Sequence, residues 1–235
     1  MLKIRNFTKC YGSFKAVDGL SLTVNKGEIY AFIGHNGAGK STTIKAIVGV
    51  LGYNEGDIII DGKNIKENPV DYKKDIAYVP DNPDIYEHLT GIQYLNFVCD
   101  IFGVSESDRN ERIKKYAQIF EMQNNLGDVI SSYSHGMKQK IVLISALCHN
   151  PKFLILDEPF VGLDPIATHK LKEIMREICS NGGAIFFSTH ILEVAEKLCD
   201  RVGIIKNGKL IKEGDMKEIT KDKSLENIFL EIENA

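Results

Sequence analysis

The feature that most limits what this chain can fold into is a glycine-rich loop between a short apolar run and a helical pattern. EIYAFIG at residues 28–34 predicts a buried strand, GHNGAGKST spans residues 34–42, and TIKAIVGVLG continues with helical spacing. Strand, loop and helix in this order, with the spacing G-x-x-x-x-G-K-[ST], are typical of a phosphate-binding loop. A glycine-rich turn with an incidental lysine is the alternative, and the flanking strand and helix argue against it.

The residue types in this loop have definite chemical uses. Glycines let backbone N–H groups close around phosphate oxygens, the ammonium of Lys40 can reach the β- and γ-phosphates, and Ser41 offers its hydroxyl to Mg²⁺. We therefore predict a nucleotide-binding loop made of Gly34, His35, Asn36, Gly37, Ala38, Gly39, Lys40, Ser41 and Thr42.

Short apolar runs alternate with longer helical patterns along the chain. Besides residues 28–34, strands are predicted at 57–61, 76–79, 153–157 and 184–188. Most of these runs are too apolar to leave one face in water, which predicts an α/β fold with a largely parallel sheet. Asp61-Gly62 and Asn207-Gly208 suit type I′ turns, so two hairpins should add antiparallel strands.

Helical patterns fill the stretch from Thr90 to Asn150, which predicts an α-helical subdomain inserted into the α/β core. A further helix is predicted near the C-terminus, because Leu225, Ile228, Phe229 and Ile232 fall at helical spacing. We divide the chain into a first core segment, the helical subdomain, a second core segment and a helical tail, at residues 1–86, 87–150, 151–213 and 214–235.

Composition excludes several classes of protein. With 235 residues, 43% of them apolar and 26% charged, the chain has the make-up of a globular protein. A net charge of −3 gives no electrostatic reason to expect nucleic acid as a partner. The apolar runs are far shorter than the roughly 20 residues of a membrane span. The five cysteines lack C-x-x-C spacing, so we expect a reduced cytosolic protein with buried thiols.

Two carboxylates and a histidine follow buried strands. FLILDEP places Asp157 and Glu158 at the carboxyl edge of the sheet, where Asp157 can hold Mg²⁺ and Glu158 can polarise the water that attacks a γ-phosphate. His190, in STH after another strand, can reach the same phosphate. The alternatives are that the acidic pair ends a strand in solvent and that the histidine caps a helix.

The segment SYSHGMKQKIVL predicts a helix whose N-terminus lacks a negative group. Ser134 is a suitable N-cap, Gly136 leaves the backbone bare, and the first turns carry His135, Lys138 and Lys140 in place of the usual acids. This end of the helix is therefore expected to bind an anion. A capped surface helix with solvated lysines is the alternative.

Six motifs, taken in order, resemble those of the nucleotide-binding subunit of ABC transporters over nearly the whole chain. They are Tyr11 as the aromatic residue that stacks on adenine, GHNGAGKST as Walker A, YSHGM in the place of LSGGQ, FLILDE as Walker B, VGLDP as the D-loop and STH as the switch histidine. The resemblance implies a P-loop NTPase core that uses ATP and Mg²⁺, with Glu158 and His190 as catalytic residues.

The resemblance also implies two protein partners. Ser134, His135 and Gly136 would hold the γ-phosphate of ATP bound by a second ATP-binding subunit, which is either another copy of this chain or a paralogue. A separate transmembrane permease would carry the cargo, because no segment here is predicted to cross a bilayer. The chain is therefore expected at the cytoplasmic face of the cell membrane as a peripheral protein.

Three departures and one similarity narrow this expectation. Asp81 stands where the family usually has Gln, which adds a carboxylate near Mg²⁺ and predicts Ser41, Asp81 and Asp157 as the metal residues. His135 and Met137 replace a glycine and a glutamine of the signature. YSHGMKQK and the C-terminal SLENIFLEI look like ATPases of ABC-2 type exporters that move drugs, antibiotics or amphipathic peptides in Gram-positive bacteria.

Two other functions are compatible with these motifs. One is a soluble ABC-type ATPase of DNA repair or translation, although those families usually carry a long coiled-coil insertion or two tandem cassettes. The other is a nucleotide-gated scaffold with little hydrolysis, suggested by Asp81 and His135. Intact Glu158 and His190 argue against the scaffold.

Overall fold

The structure is a computed structural model that describes residues 1–234. Its strands are β1 Leu2–Tyr11, β2 Phe14–Val24, β3 Ile29–Ile33, β4 Glu55–Ile60, β5 Lys63–Asn64, β6 Ile76–Val79, β7 Phe153–Asp157, β8 Ala184–Thr189, β9 Arg201–Lys206 and β10 Lys209–Asp215. Its α-helices are α1 Lys40–Ile47, α2 Pro69–Lys73, α3 Gly91–Ile101, α4 Glu106–Ile119, α5 His135–Cys148, α6 Pro165–Ser180, α7 Leu192–Leu198, α8 Met216–Ile219 and α9 Leu225–Asn234.

The larger sheet has six strands in the order β10-β9-β3-β8-β7-β6. Its strands run parallel except for β10, which pairs antiparallel with β9. Every residue of β3, β7 and β8 is buried, which is the burial expected of strands covered on both faces. The predicted α/β fold with a mixed, largely parallel sheet is confirmed.

The smaller sheet is antiparallel, in the order β2-β1-β4-β5. The predicted strand at residues 57–61 is β4 of this sheet, and its hairpin turn has positive φ at Asp61 and Gly62, 47° and 80°. The β9–β10 turn is built the same way, with φ of 49° at Asn207 and 76° at Gly208. Both predicted hairpins are therefore present, because these residues tolerate the left-handed conformation that a type I′ turn needs.

The N-terminal hairpin β1–β2 was not predicted from the sequence. Its strands mix polar and apolar residues, and the register between them shifts at several places, from Ile4/Phe7 to Lys9/Cys10. These irregularities destroy the strict alternation by which a half-buried strand is recognised. The second strand of the hairpin reaches the glycine-rich loop, where Ala16 and Val17 lie next to Gly39.

The helical subdomain leaves the core after β6 and returns at β7, which is the parallel neighbour of β6. It contains α3, α4, a 3-10 turn at Ile130–Ser132 and α5. Helix α5 carries a long run of buried residues and packs against both α3 and α4. The inserted subdomain predicted for this stretch is thus confirmed. The division into four segments stays a prediction, and its boundary at residues 213–214 falls inside β10.

Among residues 1–234, no helix combines the length and the apolar character that crossing a membrane requires.

All five cysteines are free thiols. Four of them are buried, Cys99, Cys148, Cys179 and Cys199, and Cys10 is half-buried.

Candidate nucleotide-binding site

The glycine-rich loop joins the buried end of β3 to α1, and its neighbours explain its glycines. Gly37 and Gly39 have φ of 83° and 112°, a conformation that side chains disfavour. A Cβ atom at Gly34 would lie 2.4 Å from the carbonyl oxygen of Ile205, and one at Gly39 would lie 2.8 Å from that of Ala16. Helix α1 starts without a side-chain cap or an acidic residue in its first turn, so its N–H groups are available to an anion.

Lys40 lies almost completely buried at the base of this loop. Its ammonium donates to the carbonyl oxygens of Gly34 and His35 at 2.7 and 3.3 Å, and it lies 3.9 Å from a carboxylate oxygen of Glu158. Burial lowers the pKa of Lys40, and the charges of Glu158, Asp157 and Asp81 partly oppose this. The ammonium of Lys40 is poorly hydrated, so a phosphate that enters the loop would supply it with a negatively charged hydrogen-bond acceptor.

Asp157 and Glu158 do not end β7 in solvent. Asp157 is 2% exposed and accepts a hydrogen bond from the hydroxyl of Ser188 on the neighbouring strand β8. The same hydroxyl accepts from the backbone N–H of Glu158 at 3.1 Å. Ser188 thus fixes both acidic residues. Its role could not be predicted from the sequence, because the contact depends on strand pairing between residues 31 positions apart.

Glu158 has φ of 49°, in the left-handed region. For a residue with a side chain this conformation costs on the order of 1–3 kcal/mol and persists only where the surroundings hold it. One side-chain oxygen of Glu158 accepts from the backbone N–H of His190 at 3.2 Å and lies 2.9 Å from Nδ1 of that histidine. The other oxygen faces Lys40. The turn therefore aims the carboxylate between Lys40 and His190.

The contact between His190 and Glu158 assigns different tasks to the two ring nitrogens. Nδ1 faces Glu158, and it donates to that side chain when it carries the proton, because carboxylate oxygens accept. Nε2 is then the nitrogen that remains for a ligand. His190 does not cap α7, because the N-cap residue of that helix is Ile191.

The predicted metal residues supply hard oxygen donors. The described residues contain no cluster of three or more His, Cys, Asp or Glu that could hold an ion by itself. Ser41, in the first turn of α1, offers a hydroxyl. Two carboxylates lie near Lys40: that of Asp157, which is buried, and that of Asp81, which is exposed. This donor set fits Mg²⁺ that is completed by phosphate oxygens and water, as is usual for that ion.

The start of α5 has the predicted N-cap, but its lysines are not free cations. Ser134 is its N-cap and accepts from the N–H of Met137 at 3.3 Å. Lys138 and Lys140 are not solvated cations, since Lys138 pairs with Glu87 and Lys140 pairs with Asp164 at 2.7 Å. The helix is therefore capped as predicted, whereas the alternative of solvated lysines is wrong, and the two lysines contribute little free charge to this helix end.

His135 and Gly136 lie against the loop that follows Glu158. A Cβ atom at Gly162 would lie 2.7 Å from Cδ2 of His135, and one at Gly136 would lie 2.8 Å from the carbonyl oxygen of Gly162. Gly162 also has φ of 80°, so both its conformation and its neighbour require glycine. The structure thus brings these residues to the loop at 159–164, and not into the cluster around Lys40.

The remaining predicted residue, Tyr11, ends β1 and is 51% exposed. The structure therefore brings the glycine-rich loop, Asp157, Glu158 and His190 together at the carboxyl ends of β3, β7 and β8, where open α/β sheets bind ligands. Tyr11 lies on the smaller sheet, at the tip of the hairpin whose second strand approaches Gly39.

Comparison with known proteins gives a consistent result. The ABC transporter family model matches residues 17–161. The ATP-binding protein EcsA of Bacillus subtilis is 35% identical, with 99% of this chain and 96% of that protein aligned. The bacitracin transport ATP-binding protein BcrA of Bacillus licheniformis is 37% identical, over 91% of this chain and 69% of BcrA.

Solved structures agree with these relatives. One described as the ATP-binding subunit of an ABC transporter superposes with a TM-score of 0.94 at 35% identity and covers 98% of both chains. A dimeric, post-hydrolysis ATP-binding cassette bound to ADP and Pi shares the fold, with a TM-score of 0.84 at 23% identity over 92% of this chain and 99% of that one. The chain belongs to the ABC transporter family and is an ATP-binding, ATP-hydrolysing subunit of such a transporter.

Proposed function

We propose that this chain hydrolyses ATP between two ATP-binding subunits and thereby powers export of a drug, antibiotic or amphipathic peptide through a separate membrane protein. The observation that carries the proposal is the arrangement of Glu158 between Lys40 and His190, at 3.9 and 2.9 Å. It combines a phosphate-binding cation, a carboxylate that can accept a proton and an imidazole at one edge of the sheet.

Each residue has a role that its position supports. Lys40 and the loop N–H groups bind the phosphates, and Glu158 orients the attacking water and accepts its proton. Nε2 of His190 contacts the γ-phosphate, while its Nδ1 proton holds Glu158 in place. Ser41, Asp157 and Asp81 would hold Mg²⁺, which when bound neutralises charge on the β- and γ-phosphates.

The second subunit would supply ATP to the start of α5. Ser134, His135 and Gly136 begin this helix without an acidic residue in the first turn, so its N–H groups suit a phosphate from outside the chain. Because Lys138 and Lys140 pair within the chain, the backbone N–H groups, Ser134 and His135 are the groups left for this role. Either another copy of this chain or a paralogue would meet the requirement.

The membrane subunit would dock in an apolar groove between the helical subdomain and the core. This groove has a volume of about 300 Å³ and lies between β6, α3 and α5. Val50 and Phe102 line the groove and expose apolar surface, at 70% and 38%. Tyr78 lines the groove; burial raises the pKa of Tyr78, and the charges of Asp157 and Asp81 add to this. Asp81 also acts on the charge of Lys40, so it lies near both the groove and Lys40.

The exporter assignment rests on the relatives. Besides BcrA, the linearmycin resistance ATP-binding protein LnrL of Bacillus subtilis is 35% identical over 90% of this chain and 68% of LnrL. Their names connect related ATPases with antibiotics. The groove favours a membrane partner over a soluble ABC-type ATPase, and the contacts of Glu158 favour hydrolysis over a nucleotide-gated scaffold. The chain would then act as a peripheral protein at the cytoplasmic face of the membrane.

Affinity purification from detergent-solubilised membranes tests the membrane partner. The wild-type chain should retain one multi-spanning protein, and Val50→Glu should lose it because a charge then stands in the apolar groove. Leu230→Glu is the matched control, since Leu230 is also an exposed apolar residue, 50%, on α9. Equal retention by all three proteins would contradict the groove as the docking site, and recovery of soluble partners alone would favour the soluble ATPase.

A further inference from the structure

Two exposed aromatic residues are paired across the tip of the β1–β2 hairpin. Tyr11 and Phe14 are partners in the strand register, so their side chains lie on the same side of the hairpin. They are 51% and 65% exposed, which is unusual for large rings that could otherwise pack on the core. Only Tyr11 was singled out from the sequence.

The hairpin is attached to the phosphate-binding loop. The carbonyl oxygen of Ala16 and a methyl group of Val17 would lie 2.8 and 3.2 Å from a Cβ atom at Gly39. Phe14 pairs with Tyr11, and Val17 pairs with Lys9, which lies two residues earlier on β1. The side chains of Phe14 and Val17 therefore lie on the same side of the hairpin, with Phe14 nearer its tip. The aromatic pair therefore lies beyond the loop, on the strand that touches it.

The two rings have different surroundings. The ammonium of Lys9 lies 5.0 Å from the centroid of the Tyr11 ring and donates to the carbonyl oxygen of Gly52 at 2.7 Å. This cation interacts with one face of the tyrosine, which leaves the other face for a ligand. Phe14 adds a second exposed aromatic surface next to Tyr11.

We propose that Phe14 is a further binding residue that contacts the base of the nucleotide whose phosphates the loop holds. This inference rests on the nucleotide-binding function proposed above and extends it. The pair offers ring faces, which stack on any base, so it distinguishes a nucleoside triphosphate from bare triphosphate and does not read the edge of the base.

Calorimetric titration with ATP and with inorganic tripolyphosphate tests this inference in a Glu158→Gln background, which limits hydrolysis. Phe14→Ala should weaken ATP binding at least fivefold and change tripolyphosphate binding less than twofold. Phe14→Tyr should retain the wild-type affinity for ATP. GTP should show the same fold-loss as ATP with Phe14→Ala, since ring stacking is tolerant of the base.

Phe97→Ala is the matched control, because Phe97 is an exposed phenylalanine, 42%, in the helical subdomain. An unchanged ATP affinity in Phe14→Ala would overturn the inference, and so would equal losses of ATP and tripolyphosphate, which would indicate a distorted loop. A loss confined to ATP and absent with GTP would overturn the stacking account. Failure of the parent protein to bind either ligand would instead refute the proposed nucleotide site.

Discussion

Replacing Glu158 by Gln should separate hydrolysis from binding. The substitution keeps the size of the side chain and removes the carboxylate that can accept a proton from water. General base catalysis of this kind contributes about 10²–10⁴-fold, so kcat should fall by that factor, or about 3–5 kcal/mol in the activation barrier. Phosphate release at saturating ATP measures this loss.

Binding of ATP should change little in the same variant. Lys40 loses a negative neighbour at 3.9 Å but keeps its hydrogen bond of 2.7 Å to Gly34, and a γ-phosphate no longer faces the negative charge of Glu158. We expect an affinity within about threefold of wild type, or tighter, because these two effects oppose each other. Calorimetry measures it, and size-exclusion chromatography with ATP should show an accumulated dimer.

Glu173→Gln is the control, because Glu173 is an exposed acid on α6 that pairs with Lys170 and belongs to neither proposed phosphate site. Hydrolysis by Glu158→Gln at near the wild-type rate would refute the assignment of Glu158. Equal losses of kcat and of ATP affinity would show that Glu158 organises the loop and does not act in the chemical step.

Three further predictions concern the same elements. Lys40→Ala should weaken ATP binding by about 1.5–3 kcal/mol in calorimetry, as expected for the loss of a charge-assisted hydrogen bond, and an unchanged affinity would contradict the loop assignment. Ser188→Ala should lower the free energy of unfolding by about 1–3 kcal/mol in urea, because it removes the hydroxyl that donates to buried Asp157; no loss of stability would show that this contact is unimportant. Asp164→Asn should be less stable than wild type at pH 7, because the N–H of Ala167 and the ammonium of Lys140 lower the pKa of Asp164. A carboxylate with a lowered pKa stabilises the fold at pH values above its ordinary pKa of 3.8, and this stabilisation is lost as the pH falls through the lowered pKa. The difference in urea midpoint between wild type and Asp164→Asn should therefore shrink at acid pH. A difference that stays constant with pH would exclude a stabilising ion pair.

Local patterns were sufficient to predict the parallel core. The strands β3, β7 and β8 are continuous apolar runs because both of their faces are covered, and the hairpin turns carry residues that tolerate positive φ. The strands β1 and β2 do not have such a pattern, since their bulges shift the register and their outer faces are polar. Their pairing is decided by tertiary contacts that a single strand does not encode.

The candidate site was predictable where its residues follow one another in the chain. The glycine-rich loop and the Asp157-Glu158 pair are of this kind. Ser188 and the partners of Lys138 and Lys140 were not predictable, because each contact joins residues that are distant in sequence and adjacent only after folding. For the lysines this changes the chemistry, since a paired cation attracts an anion less than a free one.

The shape of the phosphate-binding loop also depends on residues far from it. The N–H of Gly208, in the β9–β10 turn, donates to the carbonyl oxygen of Ala38 at 2.9 Å, and the N–H of Asp18 donates to the carbonyl oxygen of Gly208 at the same distance. A Cβ atom at Gly208 would lie 2.8 Å from the carbonyl oxygen of Ala16. Gly208 therefore has two reasons to be glycine: φ of 76° in a hairpin turn and close contact with the strand beside the loop. Because one residue joins the hairpin of the smaller sheet, the turn of the larger sheet and the loop, the position of the phosphate site relative to Tyr11 is set by the packing of the two sheets and not by the loop sequence alone.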